Sequence, residues 1–282
     1  MPALDPTSAL ALGTGVAVLD VRDQAAFAAG HPPGAGHLPR SAFEARRTEL
    51  PPREVAMLVV AAGAGEARDA AADLEALGYS RVDWLDAPLA SLPGGLSDTG
   101  PPVRLWRPAP FLEEVLPLLP RGRALDLAAG AGREAVFLAM NGFDVEAIDD
   151  DPCILAKAEA LAGRCGVRIT TRAQDLERSD ARLPEGRYGL VTVFRFLHRP
   201  LLPAIERALA PGGRLVYETF RRGQARFGRP THPRFLLDDG ELARAFPGLI
   251  VERYDEPSPE GGPITARLLA RKPGPSREIT VG

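Results

Sequence analysis

One short stretch constrains the fold of this chain more than any other: Ala124-Leu125-Asp126-Leu127-Ala128-Ala129-Gly130-Ala131-Gly132-Arg133. An apolar strand over 123–127 runs directly into a glycine turn. A helical pattern then opens at Arg133 and carries Ala135, Val136, Leu138 and Ala139. Strand, glycine turn and helix in that order begin a parallel α/β sheet and bring backbone amides within reach of a ligand. Gly130 and Gly132 have no Cβ, so the turn can take unusual dihedrals and a ligand can come close. Asp126 puts a carboxylate at the carboxyl end of the strand, facing that ligand.

Two ligands compete for this turn. Gly130-x-Gly132-x-x-Ala135 matches the dinucleotide fingerprint, in which a pyrophosphate sits on the helix N-terminus. A carboxylate four residues before the first glycine is a poor neighbour for a phosphate. S-adenosylmethionine carries no phosphate, and its methionine end carries an ammonium group. Acid-x-x-x-Gly-x-Gly therefore reads better as a methyl-donor site, with a plain tight turn as the structural alternative.

At 282 residues the chain is long enough for two domains. Its net charge of −3 gives no electrostatic footprint for nucleic acid. There is no apolar run long enough for a membrane span and no signal-peptide pattern at the start, so a reducing cytoplasm is expected. Cys153 and Cys165 form no C-x-x-C, and with four histidines neither a zinc site nor a disulfide scaffold is expected. No metal is expected.

The first unit, 1–95, alternates strands (15–19, 57–60, 81–85) with helical pieces (25–27, 66–77), which predicts a small parallel α/β domain. Asp20-x-Arg22, Phe27, Gly30-His31-x-Pro33-Gly34-Ala35, Leu38-Pro39 and Leu77-Gly78-Tyr79 resemble the rhodanese (sulfurtransferase) family over nearly the whole unit. In active members of that family a cysteine opens the loop after the second strand. Counting back from Gly78-Tyr79 puts Ala61 there, in Ala61-Ala62-Gly63-Ala64-Gly65-Glu66, with neither thiol nor arginine. Persulfide chemistry needs a thiolate, so the unit is expected to be inactive in sulfur transfer and retained for packing, docking or dimerisation. His31 and His37 are expected to stabilise the Pro/Gly segment.

Residues 96–110 read as a Pro/Gly-rich linker in which Trp106 stands out, either as a lid over the cofactor cleft or as a core cap. The second unit, 111–274, opens with a helix over 111–119 and then shows seven strand signals: 123–127, 144–148, 167–171, 190–194, 214–220, 250–254 and 265–271. Helices are expected at 133–141, 152–162, 199–210 and 238–246. The last two strands are joined without a helix, so the last should run antiparallel, as one edge of an otherwise parallel sheet with helices on both faces. Residues 275–282 read as a tail.

Ligands of such a sheet bind beyond the carboxyl ends of the strands. The first end offers Asp126, Ala128, Gly130, Gly132 and Arg133; the second offers Asp149 for ribose hydroxyls, with Asp150 beside it and Asp151 as a helix cap. Asp175 follows the third strand, for an adenine amine or as a turn cap. Phe194, Arg195, His198 and Arg199 follow the fourth, beside the reacting methyl. His198 is a candidate general base or a loop-stabilising group. Arg195 and Arg199 either steer an anionic acceptor or pair with surface acids such as Glu206. Together, Asp126-x-x-x-Gly130-x-Gly132, Asp149 and Pro211-Gly212-Gly213 resemble the class I S-adenosylmethionine-dependent methyltransferases over 123–272, most closely the small-molecule enzymes of tellurite-resistance and thiopurine type.

That resemblance implies a Rossmann-like seven-stranded sheet with an antiparallel last strand, and S-adenosyl-L-methionine as cofactor. In-line transfer to a small-molecule acceptor follows, a thiol or other chalcogen being suggested by the rhodanese-like neighbour. The insertion 221–237 is expected to carry substrate-loop residues Phe227, His232 and Phe235, with Trp106 and Arg199 as further substrate candidates and Arg221, Arg222 and Arg226 as a basic cluster. Two other readings stay open: an RNA or protein methyltransferase using the first unit for docking, and a non-enzymatic S-adenosylmethionine-binding protein. A homodimer or docking partner through the first unit belongs with them.

Overall fold

The structure is a computed structural model, and it describes residues 3–4, 15–91 and 96–274. The chain divides into two compact units, 1–107 and 108–282.

The first unit holds a five-stranded, all-parallel sheet in the order β1-β5-β4-β2-β3, with β1 Ala3–Leu4, β2 Val16–Asp20, β3 Gly36–His37, β4 Ala56–Val60 and β5 Val82–Leu85. The two-residue strands β1 and β3 carry too little pattern to be read from sequence. The helix Ala64–Ala76 buries Ala67, Ala70, Ala71 and Leu74 on one face and ends in a left-handed Gly78. The Gly78 and Tyr79 amides close back onto the Glu75 and Leu74 carbonyls. In the Pro/Gly segment, Phe27 is stacked between His31 (3.8 Å) and His37 (4.4 Å), whose rings meet the Phe27 and Arg22 carbonyls.

The second unit is a seven-stranded sheet in the order β11-β12-β10-β9-β6-β7-β8. Its strands are β6 Arg123–Leu127, β7 Asp144–Asp149, β8 Thr170–Ala173, β9 Tyr188–Phe194, β10 Leu209–Phe220, β11 Ile250–Asp255 and β12 Thr265–Arg271. β6 and β9 are neighbours in space but not in sequence, so the chain reverses its direction of growth between them. Their apolar residues are buried throughout, as central parallel strands require.

Four details depart from the sequence reading. β12 does run antiparallel, but it sits between β10 and β11, so the edge is β11. Residues Ala266, Leu268, Leu269 and Ala270 are fully buried, whereas β11 exposes Val251 and Glu252; the more apolar strand takes the interior place and the charged one guards the edge. β8 begins at Thr170 because the amide of Val167 is used to close the preceding helix onto Ala162. The helix after Pro110 changes to a 3₁₀ turn at Leu116–Leu118, where Pro117 supplies no amide. The predicted helix over 238–246 shrinks to Glu241–Arg244, because the Asp238 and Asp239 side chains are drawn to Arg222 and Arg221.

Candidate active site

The candidate cofactor residues Asp126, Gly130, Gly132 and Asp149 collect where β6 and β7 end, with Thr192 of β9 beside them. At the tip of β6, Ala128 takes φ +54°, and at the tip of β9, Arg195 takes φ +58°; they are the two non-glycine residues with positive φ among the described ones. Left-handed backbone costs an L-residue about 1–2 kcal/mol and persists where function or packing demands it. Both lie at the switch point, where open α/β sheets bind ligands.

The two glycines of the turn do different things. A Cβ on Gly130 (φ +54°) would meet nothing within 4 Å, so the backbone there faces open space. A Cβ on Gly132 (φ +80°) would lie 2.5 Å from the Cβ of Ala158, so Gly132 lets the helix Pro152–Arg164 press against the turn. The helix Arg133–Met140 starts at once from Gly132.

Asp126 lies beneath the turn, 2% exposed. Its Oδ1 accepts the Thr192 hydroxyl of β9 at 2.7 Å, while its Oδ2 is buried with no hydrogen-bond partner. Burial above all, then the negative charge of Glu134, pushes this carboxyl up to about 8; the Thr192 hydroxyl and the Ala135 amide oppose the shift, and Asp149 adds a smaller push. Glu134 is itself buried on the first turn of the helix, with Oε1 accepting the Ala109 amide at 3.1 Å. Asp149 accepts the Gly130 amide at 2.8 Å and the Asp151 amide at 3.3 Å, which ties the turn to the end of β7. Asp150 is exposed, and its carboxyl is raised by hydrogen bonding to Asp149. Asp151 caps the next helix through the Cys153 amide.

The remaining candidates are scattered more widely. Asp175 is exposed and accepts the Glu177 amide, so it serves as a turn cap. Phe194 is buried and is paired in register with Glu218 of β10, whose carbonyl accepts the Arg195 amide. The Arg195 side chain is exposed. His198 is half-buried just beyond, before the 3₁₀ turn Arg199–Leu201. Arg199 is not left for an acceptor, nor is it paired with Glu206: it grips Glu241 through two nitrogens and the carbonyls of Arg234 and Leu236, pinning the insertion in place. Phe227 is exposed over Gly262, His232 accepts the Arg234 amide, and Phe235 lies under the Arg234 guanidinium at 4.3 Å. The expected basic cluster is largely neutralised, Arg221 by Asp239 and Glu256 and Arg222 by Asp238. Trp106 belongs to the first unit, buried, with the Arg104 guanidinium over its ring.

Sequence reasoning missed Glu134 and Thr192, and it reached Glu218 only as the end of its strand, with no role. Glu134 was legible as an acid on the first helical turn after the glycines, on the side that turns back toward the strand. Thr192 and Glu218 were not: each interrupts an apolar central strand, and only the parallel register places Thr192 opposite Asp126. Glu218 is buried, with Oε1 accepting from Thr265 and Arg267 and Oε2 without a partner.

In the first unit Ala61 is enclosed directly after β4, before the helix Ala64–Ala76. A cavity of about 400 Å³ beside this loop is lined by Arg22, Arg40, Ala62 and Glu66. Arg22 is held by Asp20 and Arg40 by Asp73, so both guanidinium groups are engaged. Among the described residues no group of three or more His, Cys, Asp or Glu could hold a metal, and no helix is long and apolar enough to cross a membrane.

Comparison with known proteins finds a domain match within each unit. Residues 124–213 match the model of a methyltransferase domain, and residues 7–89 match that of a rhodanese-like domain. The ribosomal protein L11 methyltransferase of Thermus thermophilus is 38% identical over 101 residues, 35% of this chain and 39% of that protein. The ubiquinone biosynthesis O-methyltransferase of Xanthomonas euvesicatoria is 35% identical over 131 residues, 45% of this chain and 52% of that protein. The chain thus spans about half or less of these relatives. TehB of Haemophilus influenzae overlays 57% of this chain and 61% of its own at a TM-score of 0.48 and 19% identity.

Proposed function

We propose, from the premise that this chain joins a rhodanese-like domain to an S-adenosylmethionine-dependent methyltransferase domain, that it transfers a methyl group to a small-molecule acceptor whose nucleophile is a thiol or another chalcogen. The observation that carries the cofactor reading is the orphaned Oδ2 of Asp126 beneath a glycine turn whose Gly130 faces open space. A buried acidic oxygen fits an ammonium-bearing, phosphate-free nucleoside and repels a pyrophosphate. Asp126 would hold the ammonium end, the Gly130–Gly132 turn would pass close to the nucleoside, and Asp149, with lone pairs left over, would accept the ribose hydroxyls.

S-adenosylmethionine supplies, when bound, a methyl group on a positively charged sulfur. The protein's part is alignment of nucleophile and methyl, which accounts for most of the acceleration in such displacements. Arg195, exposed at the tip of β9, provides positive charge beside the reaction centre and draws in an anionic acceptor. A chalcogenide is its own nucleophile and needs no base; an alcohol or amine would need His198. The two methyltransferase relatives are named for different acceptors, and the chalcogen assignment follows from the rhodanese-like unit joined to this domain. The first unit, without a thiol at Ala61, would not transfer sulfur and would serve packing or docking.

Labelled donor incubated with a panel of thiols, amines and phenols tests the reading. Turnover on thiols is expected; turnover confined to amines or phenols would sink the chalcogen assignment. Heat on mixing with a nicotinamide dinucleotide, and none with S-adenosylmethionine, would remove the cofactor itself.

A further inference from the structure

Two buried acids meet under the glycine turn, and among the described residues the charged groups that act on Asp126 are acidic. Asp126 projects from β6 and Glu134 from the first turn of the next helix, and the other charged group acting on Asp126 is Asp149, at the end of β7. All three are acidic; β9 contributes only the Thr192 hydroxyl, which takes one oxygen of Asp126. Asp149 is committed to two backbone amides, and Glu134 gives one oxygen to the Ala109 amide. The Ala135 amide favours the ionised form but makes no hydrogen bond within normal geometry to the enclosed Oδ2 of Asp126, which has no partner. An ionised carboxylate in such a place pays desolvation and repulsion together, and a proton on that oxygen relieves both.

We propose that Asp126, backed by Glu134, carries a proton in the empty site and that the cofactor's ammonium group displaces it on binding. The exchange balances: the carboxylic acid becomes a carboxylate paired with the ammonium, and the proton leaves to the buffer. The inference rests on the reading of the turn as an S-adenosylmethionine site. Glu134 enters as a positioning residue, because its charge sets how firmly the proton is held. With the carboxyl at about 8, binding at pH 6.5 releases close to one proton. The release fades toward pH 8, where the free amine of the cofactor also begins to lose its proton, and turns to uptake above that.

Calorimetry of the full chain with S-adenosylmethionine, in phosphate and in Tris at matched pH, counts the protons directly. Three comparisons separate this from a structural role for the acids. Methylthioadenosine, which has the same nucleoside and no amino-acid end, should bind without release. Asp126→Asn should bind the cofactor more weakly, and at saturating concentration without release. Glu134→Gln, which can still accept the Ala109 amide, should keep the release but move its disappearance to a lower pH. Buffer-independent heats for the wild type at pH 6.5, or equal release with methylthioadenosine, overturn the proton exchange and leave the cofactor assignment standing. No binding of S-adenosylmethionine at any pH overturns both.

Discussion

The pair of substitutions Gly130→Ala and Gly132→Ala separates a glycine kept for a ligand from one kept for packing. Both residues are left-handed, at φ +54° and +80°, so either alanine pays about 1–2 kcal/mol of backbone strain, partly offset by about 0.4–1 kcal/mol of lost unfolded-state entropy. There the likeness ends. At 132 the new Cβ would sit 2.5 Å from Ala158 Cβ and 3.1 Å from its Cα, both on a helix with no flexible end to swing aside. Overpacking of that kind adds about 1–3 kcal/mol, for a total near 3 kcal/mol. At 130 the Cβ meets nothing, and the net loss should stay at or below about 1 kcal/mol. Trp84 and Trp106 both lie in the first unit, so their fluorescence follows that unit while far-UV circular dichroism follows both. With a slope of about 2 kcal/mol per molar urea, Gly132→Ala should shift the dichroism transition down by about 1.5 M and leave the fluorescence transition in place. Gly130→Ala should shift neither appreciably, yet should weaken S-adenosylmethionine binding at least tenfold by filling the space beside the turn. Equal stability losses at the two sites, or unchanged cofactor affinity in Gly130→Ala, would refute this division.

Other substitutions test the scaffold. Arg221→Met removes a buried guanidinium that donates to Thr265, Glu256, Ser258 and Asp239; a loss of about 2 kcal/mol is expected, with faster proteolysis of 224–235 as its readout. Tyr188→Phe tests the hydrogen bond to Glu146. Burial works against ionisation there, but bonds from Tyr188 and Arg172 hold Glu146 below the usual carboxylate range. A depressed folded value contributes stability above the unfolded value of about 4.3 and loses it as pH falls through the folded one. The deficit of Tyr188→Phe in urea melts should therefore be largest near neutrality and shrink below about pH 4. For the first unit, thiosulfate and cyanide should yield no thiocyanate with the native chain; steady turnover there would show that Ala61 is not the vacated position.

The fold was legible because its strongest signals are local. The apolar run 123–127 with its glycines, Asp151-Pro152 at a helix start and Gly78 at a helix end each state their geometry within a few residues. The place of β12 inside the sheet depended on a comparison between strands: Ala266 to Ala270 had to outcompete Val251 to Arg253 for the interior. The site divides in the same way. Asp126, Gly130, Gly132 and Asp149 sit within one crossover, and spacing identifies them. Thr192 becomes part of the site through a register 66 residues away in sequence. Arg199 carries the same charge whether it meets an acceptor or Glu241, and nothing in its neighbours at 198 and 200 distinguishes the two.

Strain and unpaired charge gather at one edge of the second unit. Ala128 and Arg195 hold left-handed backbone there, and Asp126 is buried with an unpartnered oxygen. Each disfavours the folded chain, and the cost of Asp126 depends on pH. Its folded value is raised, so it stabilises the fold fully below its unfolded value of about 3.9, and that stability is lost as pH rises through about 8. Between pH 6 and 8 the loss should approach about 2 kcal/mol, at 1.36 kcal/mol per unit. Asp126→Asn, which keeps the shape and cannot ionise, should melt at the same urea concentration at pH 6 and pH 8, where the native chain without ligand should melt earlier at the higher pH. Saturating S-adenosylmethionine should flatten the native profile, since an ammonium partner removes the penalty for ionising. A native chain whose urea midpoint is unchanged across that window would mean that water already solvates Oδ2, and the burial argument for the site would fall with it.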